Sequence, residues 1–312
     1  MNRTLRWYDH ITVNIYWLGL TTLSQTNGLV FPLLVQRFVG ETGKATFFGT
    51  LRLWSLMVAL LVQALMGMLS DRSTVRWGRR RPFILLGTLA DLVFITAIGF
   101  SVGLEGMTGY WFLFAMALLL QVSSNTAHGA VQGLIPDLVP ENRRGRFSGI
   151  KAVLEIPVPV ILVAFAVGPL IAAGNMWGGI LVAMGVLTLA MLLTMLVPEK
   201  PLEISPPKLD WTPFLRLALM TALFTAIILG MGGVVKWMGR LLEGIGSTTA
   251  LFVVMGGVGL VGMAIAVAVG VWASVRISIG KAARSNPSFT WWVVNRLAFL
   301  VGTTNLSGFA VY

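Results

Sequence analysis

An all-α protein that crosses a membrane many times is what three observations predict. Of the 312 residues, 56% are hydrophobic and only 11% are charged, about half the charged share of a soluble domain. Uncharged runs extend from Ile11 to Gln36, Gly106 to Pro136, Ile156 to Pro198 and Gly244 to Val275. About 20 apolar residues span a bilayer, so each run holds one crossing and the third holds two. The basic residues collect between such runs, most densely in the stretch 67–82, GMLSDRSTVRWGRRRP.

Taken in order, the pattern predicts nine membrane helices, near 11–36, 46–69, 82–104, 110–135, 149–173, 176–197, 214–235, 249–275 and 289–312. The first follows Arg3 and Arg6, is too long for a signal-peptide core and has no small-x-small cleavage site after it, so it is expected to stay uncleaved. The second ends at Gly67–Ser70, and Pro82 opens the third. The fifth and sixth separate at Gly174–Asn175, a turn signal, with Trp177 suited to the membrane interface. Residues 198–213 hold five prolines, too many to continue a helix, and read as a linker. The next two helices are rich in glycine, and Gly262, Ala266 and Gly270 recur at spacing four, a face for close packing. Pro287 precedes the ninth.

With the N-terminus in the cytoplasm, 17 lysines and arginines fall on the inner side and five on the outer. The positive-inside rule therefore predicts an N-in protein of the cytoplasmic membrane. The net charge of +11 sits in loops and sets topology, so no nucleic-acid partner is implied. There are no cysteines, and His10 and His128 stand far apart. No disulfide, thiolate metal site or cysteine nucleophile is available, and no Gly-rich nucleotide loop ends in Lys-Ser or Lys-Thr. No cofactor, metal or enzyme is expected, and the partner that the composition implies is the bilayer.

The polar residues inside helices carry the functional signal, since each is costly in lipid unless it has a partner or water. Gln121, Asn125, His128 and Gln132 are spaced 4, 3 and 4, which puts them on one face of the fourth helix. Their amides and imidazole suit the hydroxyls of a sugar, or else bond neighbouring helices as a polar seam. In the first helix Asn14, Thr21, Gln25 and Gly28 form a second polar face, with the same two readings. Asp91 lies nine residues past Pro82, about 13 Å into a core of about 30 Å. That depth makes it the best titratable candidate, with a structural pairing as the alternative. Lys151 and Glu155 read as an i,i+4 pair near the surface. Arg296 shares a face with Thr303 and Ser307 and either meets substrate or snorkels to the boundary.

Gly67-x-x-x-Asp71-Arg72, followed by Arg76-x-Gly78-Arg79-Arg80-Arg81-Pro82, resembles the loop between helices 2 and 3 of the major facilitator superfamily. Its longer form resembles the sucrose and glycoside–pentoside–hexuronide symporter branch. The resemblance implies a secondary transporter working by alternating access, moving a sugar or glycoside with a coupling proton or sodium ion. It makes 1–197 the N-terminal six-helix half, 198–213 the cytoplasmic linker, 214–284 an inserted helix pair and 285–312 the start of the second half. About five helices of the family pattern are then wanting, and truncation is the expected reason.

By the same resemblance the substrate site includes Gln25, Gln121, Asn125, His128, Gln132 and Arg296. Gly67, Asp71, Arg72, Gly78, Arg79 and Arg80 form an inner gate that Asp137 and Arg144 join. Aligned on Asn125 and Gly129, Gln121 and Gln132 stand where plant sucrose symporters have the acid and arginine assigned to proton and sugar. Glutamine cannot titrate, so coupling does not pass through position 121. A fourteen-helix metabolite or drug exporter, and a non-transporting membrane scaffold of the same fold, are the alternatives.

Overall fold

The computed structural model describes residues 6–199, 201–202, 209–241, 248–279, 287–288 and 290–295. Among them helix is the only regular structure. The chain forms two units, Met1–Leu209 and Asp210–Tyr312.

In the first unit helix runs through Ile15–Asp71 and is broken at one residue, Gly40, whose φ is 76°. That conformation is readily open only to glycine. The break turns one stretch into a hairpin of two crossings, α1 (residues 15–39) and α2 (residues 41–71). The hairpin is visible in what meets Tyr110 and its neighbour. A Cβ on Gly109 would fall 2.6 Å from the Phe38 ring, while the Tyr110 hydroxyl donates to the Phe47 carbonyl at 3.1 Å. Lys44 donates to Gln36 across the turn at 2.8 Å. The loop expected between residues 36 and 46 is therefore almost wholly helical. Its Thr, Gly and charged residues are compatible with helix, and one positive φ suffices to reverse the chain.

Helix α3 is Arg81–Phe100, with Pro82 in its first turn as expected. Helix α4, Gly106–Val131, stands against α1, α2 and α3. Small residues set how closely they approach. A Cβ on Gly129 would lie 2.5 Å from the Gln63 carbonyl oxygen and 2.8 Å from Gly67 N, and one on Gly87 would lie 2.7 Å from the Ser123 carbonyl oxygen. These are backbone-to-backbone contacts of the kind membrane helices use in place of hydrophobic driving force.

A short helix, Leu134–Leu138, leads to α5, which begins at Glu141 rather than at 149. Its first two turns are charged and exposed with only Phe147 buried; a helix start is favoured by an acid in the first turn, here Glu141 following Pro140, and does not need apolarity. α5 continues through Pro157–Leu162, a π turn at Val163–Val167 and Gly168–Ala172. Prolines 157, 159 and 169 remove backbone donors, and the wider turn accommodates the loss. The chain reverses at Gly174, φ 81°. Helix α6, Met176–Thr194, is capped by Asn175, whose side chain accepts from Gly178 N at 2.8 Å. It packs on α1, where a Cβ on Gly19 would sit 2.8 Å from the Leu187 Cα.

The second unit contains α7, Thr212–Leu241, and α8, Thr248–Ile279. Gly262 receives the Met231 methyl and Gly270 the Phe224 ring, so the small-residue face seen in sequence is where α7 packs. Of the expected ninth helix only 290–295 are described, in helical conformation, with 287–288 just before it. The rest of it, with Arg296, and the middle of the linker lie outside the described residues. Seven helical stretches among the described residues are long and apolar enough to cross a membrane, the first being the α1–α2 hairpin. This is a multi-pass membrane protein.

The Gly129 contacts are with backbone, which cannot move aside, so Gly129→Ala is expected to destabilise the first unit by about 1–3 kcal/mol. Gly145→Ala, inside a helix with open space around its Cβ, is expected to hold or slightly raise the thermal unfolding midpoint in detergent. Equal midpoints for the two variants would show that the α2–α4 crossing is not tight.

Candidate functional site

Two groups of polar side chains are assembled in the first unit, one around Arg80 and one around Trp17. The Arg80 group gathers the gate motif. Ser70 and Asp71 end α2, Arg72 caps it, and Arg80 immediately precedes α3. The Arg80 guanidinium is buried, with its side chain 5% exposed. Its Nε donates to Asp137 Oδ2 at 2.6 Å, one terminal nitrogen to Ser70 Oγ at 3.1 Å, and the other to Asp71 Oδ1. Arg79 pairs with the same Asp137 oxygen. Burial alone would lower the Arg80 pKa, but the Asp137 and Asp71 carboxylates outweigh it and hold the group above its ordinary value.

Two glycines make room. The guanidinium occupies the space a Cβ on Gly133 would need. Gly78, at φ 121°, lies under Glu199, whose Oε2 would be 2.6 Å from a Cβ there. The Glu199 carboxylate accepts from Arg80 N at 2.8 and 2.9 Å and from Arg81 N at 3.1 Å. These are free N–H groups of the α3 N-terminus, where a negative charge is favoured. Arg144 does not pair with Asp137. Its Nε donates to the Val139 carbonyl at 3.1 Å and a terminal nitrogen to that of Pro136 at 2.9 Å, bracing the end of the short helix that carries Asp137. Gly67 serves the α2–α4 crossing through Gly129. Sequence reasoning missed Ser70, Gly133 and Glu199; the first and last were visible only as a Ser-Asp pair and a Pro-Glu-Lys run.

The second group joins α1, α4 and α5. The His128 ring meets Trp17 edge-on, centroids 5.1 Å apart, and the Lys151 Nζ lies 3.6 Å from the Trp17 ring centre. His128 Nε2 is 3.1 Å from the exposed Gln132 amide. One turn back, Asn125 is buried and its amide donates to the Gln121 carbonyl at 2.8 Å and side-chain oxygen at 3.1 Å. The α4 face thus divides into two self-bonded pairs, Gln121–Asn125 and His128–Gln132. Gln25 stands half-buried on α1. Trp17 and Lys151 were not foreseen as members; only their contact across α1 and α5 reveals them.

Asp91 is fully buried on α3. Ser124 donates to its Oδ1 at 2.7 Å, Ser123 also reaches Oδ1, and its Oδ2 has no partner among the described residues. Beside it the Tyr16 and Thr88 hydroxyls share a hydrogen bond of 2.7 Å. Among the described residues no cluster of His, Cys, Asp and Glu could hold a metal ion.

A sequence model described as Major Facilitator Superfamily matches residues 16–312. Sucrose transport protein SUT1 of Oryza sativa subsp. japonica is 28% identical over 117 residues, 30% of this chain and 20% of that protein. Sucrose transport protein SUC4 of Arabidopsis thaliana is 36% identical over 105 residues, 28% of this chain and 19% of that protein. The chain matches about a fifth of the length of these curated relatives.

Arg80 uses a planar fork on three partners that a lysine cannot reproduce. Arg80→Lys is expected to lower stability by about 2 kcal/mol through lost charge-assisted hydrogen bonds, and Arg79→Lys by clearly less. Thermal unfolding of both variants in detergent checks this; equal losses would place the weight of the cluster elsewhere.

Proposed function

Because the chain belongs to the Major Facilitator Superfamily, we propose that it takes part in secondary transport of a small polar solute, a sugar or glycoside, by alternating access. The observation that carries this reading is the joining of α1, α4 and α5 by Trp17, His128, Gln132 and Lys151. Such a group is expensive in lipid and is retained where a bundle offers polar contacts to a solute. The named activity of the curated relatives, sucrose transport, supports the sugar class. The charge distribution supports an N-in orientation in the cytoplasmic membrane, with the Arg80 group as the inner gate. In this reading Asp71, Arg79, Arg80 and Asp137 hold that end in one arrangement and re-pair when it opens, while Gly67, Gly78 and Arg144 keep the backbone in place around them. Gln25, Gln121 and Asn125 extend that polar face in this reading.

Coupling is assigned to Asp91, with a proton as the ion. Ser123 Oγ lies 3.0 Å from the Leu120 carbonyl and also touches Asp91, yet a hydroxyl has one proton to give. A protonated Asp91 donates to Ser123, which then donates to Leu120, while Ser124 donates to Asp91. Every hydroxyl is then satisfied, and the partnerless Oδ2 carries no charge. Ionisation breaks this chain of bonds and leaves a buried carboxylate, so loading and releasing the proton changes how α3 holds α4.

Uptake of labelled sucrose and glucose into vesicles holding the protein, with and without an inward proton gradient, tests both parts. Gradient-driven accumulation is expected for one of them. Asp91→Asn is expected to abolish accumulation above equilibrium while leaving exchange down the sugar gradient. Accumulation that survives Asp91→Asn would remove this residue from coupling, and no saturable uptake of any sugar would remove the transport reading.

A further inference from the structure

We infer that Lys151, held on Trp17 beside His128 and Gln132, is a subsite for a carboxylate carried by the solute. The inference rests on the transport reading and specifies its substrate class. A lysine ammonium has three N–H donors. The nearest carboxylate to Lys151 is that of Glu155, at 3.7 Å, beyond hydrogen-bond reach. Among the described residues no hydrogen bond engages Nζ, and its side chain is 27% exposed against 34% for Glu155. The charge is therefore positioned without being fully neutralised, and its donors are unspent.

Trp17 explains the positioning. The indole is 3% exposed, with the ammonium over one face and His128 at its edge. Attraction between a cation and the ring face fixes the ammonium but supplies no acceptor for its N–H groups. The ring also has no open surface on which a sugar could stack, so the indole orients the lysine and does not serve as a sugar platform. What the site offers a solute is a cation, an imidazole and an exposed amide from α5 and α4. A carboxylate complements that set: it accepts two charge-assisted bonds from Lys151 and a further one from Gln132 or His128. A neutral hydroxyl accepts from Lys151 too, but gains about half the energy. Glu155 competes with such a solute for the same cation. It weakens anion binding in the resting protein, and it takes the lysine back when the solute leaves.

The pairing of Glu155 with Lys151 gives the test two variants of opposite sign. Binding to the full chain in lipid nanodiscs would be measured with glucose and glucuronate, which share a ring and differ by a carboxylate in place of a hydroxymethyl group. Glucuronate is expected to bind about tenfold more tightly, the order of one charge-assisted hydrogen bond. Lys151→Met is expected to weaken glucuronate binding more than glucose binding and so to erase that preference. Glu155→Gln is expected to enlarge the preference several-fold, and this result stands on its own should Lys151→Met not fold. Equal affinities in the unmodified protein, a preference that survives Lys151→Met, or a preference reduced by Glu155→Gln would each overturn the subsite and leave the transport reading intact. Saturable binding of neither solute would overturn both.

Discussion

The close approach of α2 and α3 to α4 is the constraint on which the rest of the first unit depends. At Gly129 the backbone of α2 comes within the distance a single methyl group would need, and at Gly87 α3 does the same against α4. Once these crossings are fixed, other contacts follow from helix geometry. Asp91, one turn beyond Gly87, is delivered to Ser123 and Ser124. Trp17 meets His128, one residue before Gly129. Gly133, one turn further, lies beneath Arg80. The polar groups do not build the bundle. They occupy positions that small residues have already brought together, which is how membrane helices associate when lipid removes any hydrophobic preference for contact.

The two polar groups differ in kind. Around Arg80, donors and acceptors are matched closely: two guanidiniums, two aspartates and a serine, with Glu199 on the helix end alongside. Breaking such a group is costly because its charges are partly withdrawn from water. Around Trp17 the matching is loose, with an ammonium that has no acceptor and an exposed amide. A tight cluster suits an element that must hold one arrangement until something displaces it. A loose one suits a place where an arriving molecule completes the bonding.

Much of this was readable from sequence where a residue type must serve a purpose at its own position. Gly67, Asp71, Gly78, Arg79 and Arg80 stood out because charge alone does not explain glycines at those spacings. Asp91 stood out because its depth follows from counting residues along a helix. What escaped is what depends on distant partners. Glu199 lies 119 residues from Arg80, and nothing in its own neighbourhood marks it as a helix-end ligand. Gly133 resembles any loop glycine until the guanidinium is placed above it. Lys151 and Glu155 satisfy the i,i+4 rule, and that contact is present at 3.7 Å, but the rule says nothing of the indole on another helix, whose ring centre lies 3.6 Å from the same ammonium. The start of α5 was misjudged because apolar runs locate crossings and not the charged turns that lead into them.

The hairpin at Gly40 carries a different consequence. One end of the α1–α2 pair is closed by a backbone dihedral angle, whereas at the opposite end of α2, residues 71–81, ion pairs and the Glu199 carboxylate tie α2 to α3 and to the short helix 134–138. A dihedral angle is indifferent to dissolved salt. Ion pairs reachable by water are screened over about 10 Å at 0.1 M salt, and Asp71, at 56% exposed, is within reach of such ions. Ionic strength therefore acts on the two ends of the same bundle unequally: it loosens the arginine-bearing end and leaves the glycine-bearing end as it was.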